Sequence, residues 1–223
     1  MYWGIFIITL LASWLVSALF ESRMRKYSAI HTSMTGREVA EKMLRENGIM
    51  DVRVVSTAGR LTDHYNPVDR TVNLSQDVYI GATLAAMAVA AHECGHAAQH
   101  AVGYAPLRMR SALVPVVNFS SKWVMWVILA GMLVLQQFPQ LMLAGIALFV
   151  VTTLFSFITL PVEINASQRA ISWMEESMLV SSEDIPKASA ALRAAAYTYV
   201  VAALSSLATL LYYIAIFNGG SRK

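Results

Sequence analysis

The sequence predicts a mainly α-helical integral membrane protein: about four transmembrane helices, an H-E-x-x-H helix and a small α+β cytoplasmic cap. Three observations predict it. First, 57% of the 223 residues are hydrophobic, against roughly 45–50% in soluble domains. Second, only 14% are charged, against roughly 25% ordinarily. Third, the charges are grouped. Eleven of the seventeen Lys and Arg residues lie between Arg23 and Arg110, and no acid lies between Glu93 and Glu163. This composition excludes a disordered, collagen-like or disulfide-stapled chain. Cys94 is the only cysteine, so no internal disulfide can form. The net charge of +3 reads as the bias of one membrane face and not as a nucleic-acid footprint.

The first span is Tyr2–Phe20, nineteen uncharged residues, enough for one crossing. It lacks the basic n-region of a signal peptide, and Glu21 and Arg23 follow at once, so it reads as an uncleaved anchor. The second span runs from about Val114 to Phe138, with Lys122 placed to snorkel. Gln136-Gln137-Phe138-Pro139-Gln140 is a polar turn, and the third span follows from about Leu141 to Pro161. The fourth runs from about Ala195 to Phe217, after the Ser181–Pro186 connection. With the N-terminus outside, residues 21–112 and 162–194 are cytoplasmic, and fourteen of the seventeen positive residues lie inside. Arg222 and Lys223 oppose this orientation. The domain reading is 1–22 as anchor, 23–111 as cap and H-E-x-x-H helix, and 112–223 as three further transmembrane helices, in one catalytic unit.

Within the polar segment, Thr35–Asn47 predicts an amphipathic helix. Thr35 and Glu38 form a capping box, Val39, Met43 and Leu44 an apolar stripe, and Gly48 the stop. "DVRVVST" and "RTVNLS" are β-branched and predict two strands, with an Asn-Pro turn segment between them. Thr71–Ser75 is read as an edge strand able to pair with an extended substrate.

From Ala82 the chain is Ala-rich and helical and carries His92-Glu93-Cys94-Gly95-His96. Residues i and i+4 share a helix face, so two imidazoles can bind one Zn²⁺. Glu93, one step on, is placed to act as general base. Independent placement of these residues gives the motif roughly 0.004 times per chain. Two solvated surface histidines are the bland alternative. The Ala and Val flanks oppose it, because they mark a helix built for burial.

A catalytic zinc needs a third protein ligand. His100 lies over two turns from His92, and a metzincin-type third His is absent. Glu163 is the better candidate, since a carboxylate just past a membrane span needs a partner such as a metal. The alternative is that it marks the interface or pairs with Arg169.

"LTDHYNP…RTVNLS", "VAAHECGHAAQHAVGYAPLRMR", "PVVNF", "TLPVEINASQRA" and "AAAYTYVVAAL" together resemble the YugP-type membrane zinc metallopeptidases of bacteria. The resemblance covers nearly the whole chain. It implies a gluzincin-like site with one Zn²⁺ per chain, His92, His96 and Glu163 as ligands, and Glu93 as base. It also implies a bacterial inner-membrane, multi-pass protease with its site facing the cytoplasm. Its partners are then the bilayer and a polypeptide substrate, with no nucleic acid. In the similar HtpX and CAAX proteases, an Asp four residues after the ligand Glu steadies a ligand His. That position is Ser167 here, with Asn165 as a second candidate for the role. Cys94 stands where such proteins commonly have an apolar residue, and is expected to pack. His64, Arg193, Tyr197 and Tyr199 are candidates for stabilising the oxyanion or binding substrate.

Two other functions compete with a surface endopeptidase. A site-2-type intramembrane protease would bury the motif in a full span and take an Asp from a later one. The apolar run before His92 is only about ten residues, too short to cross, and spans two to four hold no Asp. A non-catalytic metal-binding scaffold would have no need of Glu93.

Overall fold

The structure is a computed structural model and describes residues 2–220. Arg222 and Lys223 lie outside the described residues. The order of elements is α1 (Tyr2–Tyr27), α2 (Gly36–Glu46), β1 (Arg53–Thr57), β2 (His64–Asn66), β3 (Thr71–Ser75), α3 (Gln76–Tyr79), α4 (Leu84–Ala101), α5 (Ala105–Leu133), α6 (Pro139–Glu176) and α7 (Ile185–Gly220). The fold is mainly helical. Four helices are long and apolar enough to cross a membrane, within Phe6–Tyr27, Ala105–Leu133, Pro139–Glu176 and Ile185–Gly219. Large side chains such as Phe6, Trp14, Trp123 and Trp126 are exposed on them, as lipid-facing residues must be.

The helices run beyond the apolar spans expected from the sequence. Hydropathy marks the stretch that lipid can surround, while the i→i−4 ladder continues as long as backbone groups are satisfied. So α6 carries on through Pro161 and holds Glu163 inside the helix, not after it.

Two compact units are present. One comprises Met1–Trp14, Arg108–Leu160 and Thr198–Lys223. Its core is Ile128, Leu135, Met142, Ile146 and Leu210. Gly131 faces the Met142 backbone and Gly145 faces Ile128, so small residues let α5 and α6 approach closely. Thr153 and Ser206 share a hydrogen bond of 2.7 Å there, satisfying two hydroxyls internally.

The other unit comprises Leu15–Leu107 and Pro161–Tyr197. Thr35 caps α2, its hydroxyl accepting from the Glu38 N–H while the Glu38 carboxylate accepts from the Thr35 N–H, as the sequence predicts. Gly48 takes a φ of +70° after the helix, a conformation that suits glycine. Val39, Ala40, Met43 and Leu44 are buried, and this stripe packs on the alanines of α4. Cys94 lies in the same core, its thiol 3.6 Å from the Ala40 carbonyl, in the packing role expected of it.

The sheet has the order β1-β3-β2, with β1 parallel and β2 antiparallel to β3. This corrects the reading of Thr71–Ser75 as an edge strand. β3 is the central strand, with Val72 and Leu74 fully buried and both of its edges occupied. The segment read only as a turn supplies β2. Asp63 ties its entry to the end of β3 by accepting from the Ser75 N–H at 2.7 Å and from its hydroxyl at 3.0 Å.

Candidate metal centre

Everything in this site lies within the second unit. Thr83 caps α4 by accepting from the Ala86 N–H, and the helix then runs unbroken past both histidines. Alanines at 85, 86, 88, 90, 91, 97 and 98 are buried, so neighbouring backbone can approach α4 closely. One such approach is at Gly95. A Cβ there would stand 2.6 Å from the Ala166 carbonyl oxygen of α6. The glycine inside the motif therefore has a packing reason: it lets α6 lie against α4, and Glu163 is one turn from Ala166.

The result is a cluster of three. The Glu163 carboxylate lies 3.2 Å from His92 Nε2 and 3.6 Å from His96 Nε2. The ligand atoms of all three residues lie within 4.8 Å of one another, so the group could hold a metal ion. A tetrahedral zinc with bonds of ~2.0–2.1 Å separates its donors by about 3.3 Å. The two measured separations straddle that value. The donor set also suits zinc: two borderline-soft imidazoles and one carboxylate, a set that leaves a fourth position open. Glu163 and His96 are buried and His92 is half-buried, which excludes a casual surface cluster.

Both rings are held from behind. Ser167 Oγ and His92 Nδ1 share a hydrogen bond of 3.1 Å. His96 Nδ1 is 3.0 Å from Gln99 Oε1. Gln99 is fully buried, and its Nε2 donates to the Val162 carbonyl at 2.8 Å and to Asn165 Oδ1 at 3.0 Å. A carbonyl can only accept, so the amide orientation is fixed. Gln99 Oε1 must then be an acceptor, and His96 carries its hydrogen on Nδ1. Its Nε2 lone pair is left facing Glu163, as metal ligation requires. Asn165 thus acts on His96 through Gln99 and does not touch a ring itself. Arg169, the sequence's alternative partner for Glu163, donates from Nε to Asn165 at 2.9 Å.

Burial disfavours a charged His96. The hydrogen bond to the Glu163 carboxylate and the charges of Glu93 and Glu163 outweigh it, and the net result raises its pKa. Glu93 is buried, and its carboxylate accepts no hydrogen bond from any described residue.

These relationships gain meaning from comparison with known proteins. Residues 2–218 match the family described as "Putative neutral zinc metallopeptidase". The chain belongs to that family. The resemblance read from the sequence motifs is borne out over nearly the whole length. The chain is also 43% identical over 202 residues to "Putative membrane protease YugP" of Bacillus subtilis (strain 168), covering 90% of this chain and 89% of that protein. No solved structure matches significantly. Zinc is thus the metal the cluster should hold, and the chain joins a zinc-peptidase family to a set of four apolar helices.

The remaining sequence candidates are dispersed. His64 is exposed on β2, its Nδ1 donating to the Thr62 carbonyl at 2.7 Å. Arg193 and Tyr197 are exposed on α7, and Tyr199 falls in the other unit. His100, excluded as a ligand from spacing, instead shares a 2.7 Å hydrogen bond with Tyr65 of β2. Gln99 was not singled out by the sequence reading. Its signal is one of type: a long amide one turn after the second histidine, in a run of alanines too apolar to tolerate it unpaired.

Proposed function

We propose that the chain is a membrane-embedded zinc endopeptidase that cleaves protein substrates at or near the membrane surface. The observation that carries this reading is the convergence of His92, His96 and Glu163 beside an unbonded Glu93. His92, His96 and Glu163 would hold the metal. Zinc so held would supply Lewis acidity and lower the pKa of a water there toward neutrality. Glu93 takes the proton from the attacking water on its carboxylate oxygen and returns it to the nitrogen of the leaving amine. Ser167 and the Gln99–Asn165 pair hold the two imidazoles so that their Nε2 atoms meet one point. His64, Arg193, Tyr197 and Tyr199 remain the candidates for the oxyanion and the substrate backbone.

Action near the surface, and not within the bilayer, is supported by α4 itself. It has 18 residues and is not among the four helices apolar enough to cross. The Lys/Arg bias supports a cytoplasmic site in the bacterial inner membrane. Residues 1–22 then anchor, 23–111 form the cap and motif helix, and 112–223 add the other membrane helices, in one catalytic unit.

The test is Glu93→Gln in purified, zinc-loaded protein. Near-stoichiometric zinc with casein cleavage reduced by about 10²–10⁴-fold is expected. Cleavage at the wild-type rate overturns the mechanism.

A further inference from the structure

A cavity of about 490 Å³ lies in the same unit as the metal cluster. It falls in the size range of ligand pockets, roughly 300–1,000 Å³. The apolar part of its lining is Phe20 and Met24 of α1, Val78 of α3, and Ala85, Ala86 and Val89 of α4; Ser28, Ser75 and Thr83 add hydroxyls.

The position of this lining on α4 is the informative fact. At about 100° per residue, Ala85, Val89, His92 and His96 fall within an arc of about 60°. Val89 precedes His92 by one turn and Ala85 precedes it by two, about 4.5 and 10.5 Å along the axis. The cavity therefore touches α4, at Ala85 and Val89, on the arc that one to two turns further on carries His92 and His96, while Ala86 extends its lining round the helix. An extended peptide advances about 3.3 Å per residue. A chain laid along this face with one carbonyl at the cluster reaches the cavity one to three residues away.

The rim adds a second observation. Leu61 lines the cavity with a φ of 57° and is 66% exposed. A leucine with left-handed backbone and an exposed side chain is unfavourable twice over, and such residues gather at ligand sites. The rim charges carry both signs, Arg25 and Arg60 against Glu21 and Asp77, so charge does not choose the occupant. Asp63 is already committed to Ser75. Size and apolarity are left as the selecting properties.

We propose that this cavity is a specificity pocket that takes a bulky apolar side chain of the polypeptide substrate, one to three residues from the scissile bond. The proposal rests on the endopeptidase reading above and names the substrate class of that site.

The experiment maps cleavage sites in casein by mass spectrometry. It uses full-length, detergent-solubilised, zinc-loaded wild type and the filling variants Val89→Trp and Met24→Trp, which line the cavity from two different helices, α4 and α1. Wild type should favour Leu, Met or Phe over Gly at one position within three residues of the cut, by about tenfold or more. Each variant should lose that preference while still cutting sites with Gly or Ala there. Absence of the preference in wild type overturns the inference and leaves the endopeptidase reading intact. So does its survival in both variants, or equal loss of all cleavage in both. If one variant alone loses all cleavage, the other decides. Absence of zinc-dependent cleavage by wild type overturns the endopeptidase reading, and the pocket falls with it.

Discussion

Gln99 donates its side-chain amide to the Val162 carbonyl at 2.8 Å, and this one bond decides which nitrogen of His96 faces Glu163. A backbone carbonyl on α6 thereby sets the tautomer of a side chain on α4 that belongs to the candidate metal cluster. Replacing Gln99 by Leu keeps the volume and removes the acceptor. Zinc affinity should fall by about 10–100-fold, as for other partners of ligand histidines. Competition against a zinc chelator measures it. Unchanged affinity would show that the Gln99 bond does not steer the ring.

Glu163 brings the only carboxylate in the cluster. Glu163→Gln should weaken zinc by more than about 100-fold, since an amide oxygen is a far poorer ligand and two imidazoles alone do not close the site. Metal content after dialysis reads this directly. Retention of stoichiometric zinc would point to a different third ligand.

Gly95→Ala sets two effects against each other. Alanine in place of a helical glycine stabilises by about 0.8–1 kcal/mol. Here the new Cβ meets the Ala166 backbone at 2.6 Å, and backbone cannot swing aside as a side chain can. Overpacking costs about 1–3 kcal/mol. The net change should be destabilising, and zinc affinity should fall with it, because α6 can yield only by carrying Glu163 away. A higher melting temperature with unchanged zinc binding would show that α4 and α6 have slack at this point.

The raised pKa of His96 gives a pH dependence whose sign can be worked out. In metal-free protein, protonation of His96 stabilises the fold below the unfolded-state value of about 6.5, and that contribution is lost as pH rises through the folded pKa. Zinc needs the ring neutral, so binding expels the proton. Apparent zinc affinity should therefore drop as pH falls, approaching tenfold per unit below the folded pKa. The increase in melting temperature produced by zinc should shrink in parallel. A zinc affinity flat between pH 5 and 8 would be inconsistent with proton competition at His96.

The parts of the site legible in the sequence are those set by local spacing. His92 and His96 declare themselves because four residues bring a side chain back to the same helix face. Glu163 was approachable for a different reason: a carboxylate beside a long uncharged tract is costly enough to demand a partner. Gln99 carried the weaker mark of a neutral amide in an apolar run, and its partners were not legible: they include Val162 and Asn165 from a helix more than sixty residues on, and no periodicity encodes that meeting. The sheet order was hidden for the same reason. β1 pairs in parallel with β3 across an intervening segment, and parallel pairing leaves no hairpin signature. β2 has three residues, too few to show alternation, and sits beside an Asn-Pro that reads as a turn.

Cys94 has a practical consequence. It is 1% exposed, and burial, with the Glu93 charge beside it, pushes its thiol pKa well up, so it resists forming the thiolate that labelling reagents require. The native chain should be silent toward maleimides while folded. A cysteine introduced at Arg25→Cys or Gln137→Cys would then be a lone reporter without any change to the native sequence elsewhere. Impermeant reagents applied to intact cells could read which side each position faces, against a blank background supplied by the protein itself.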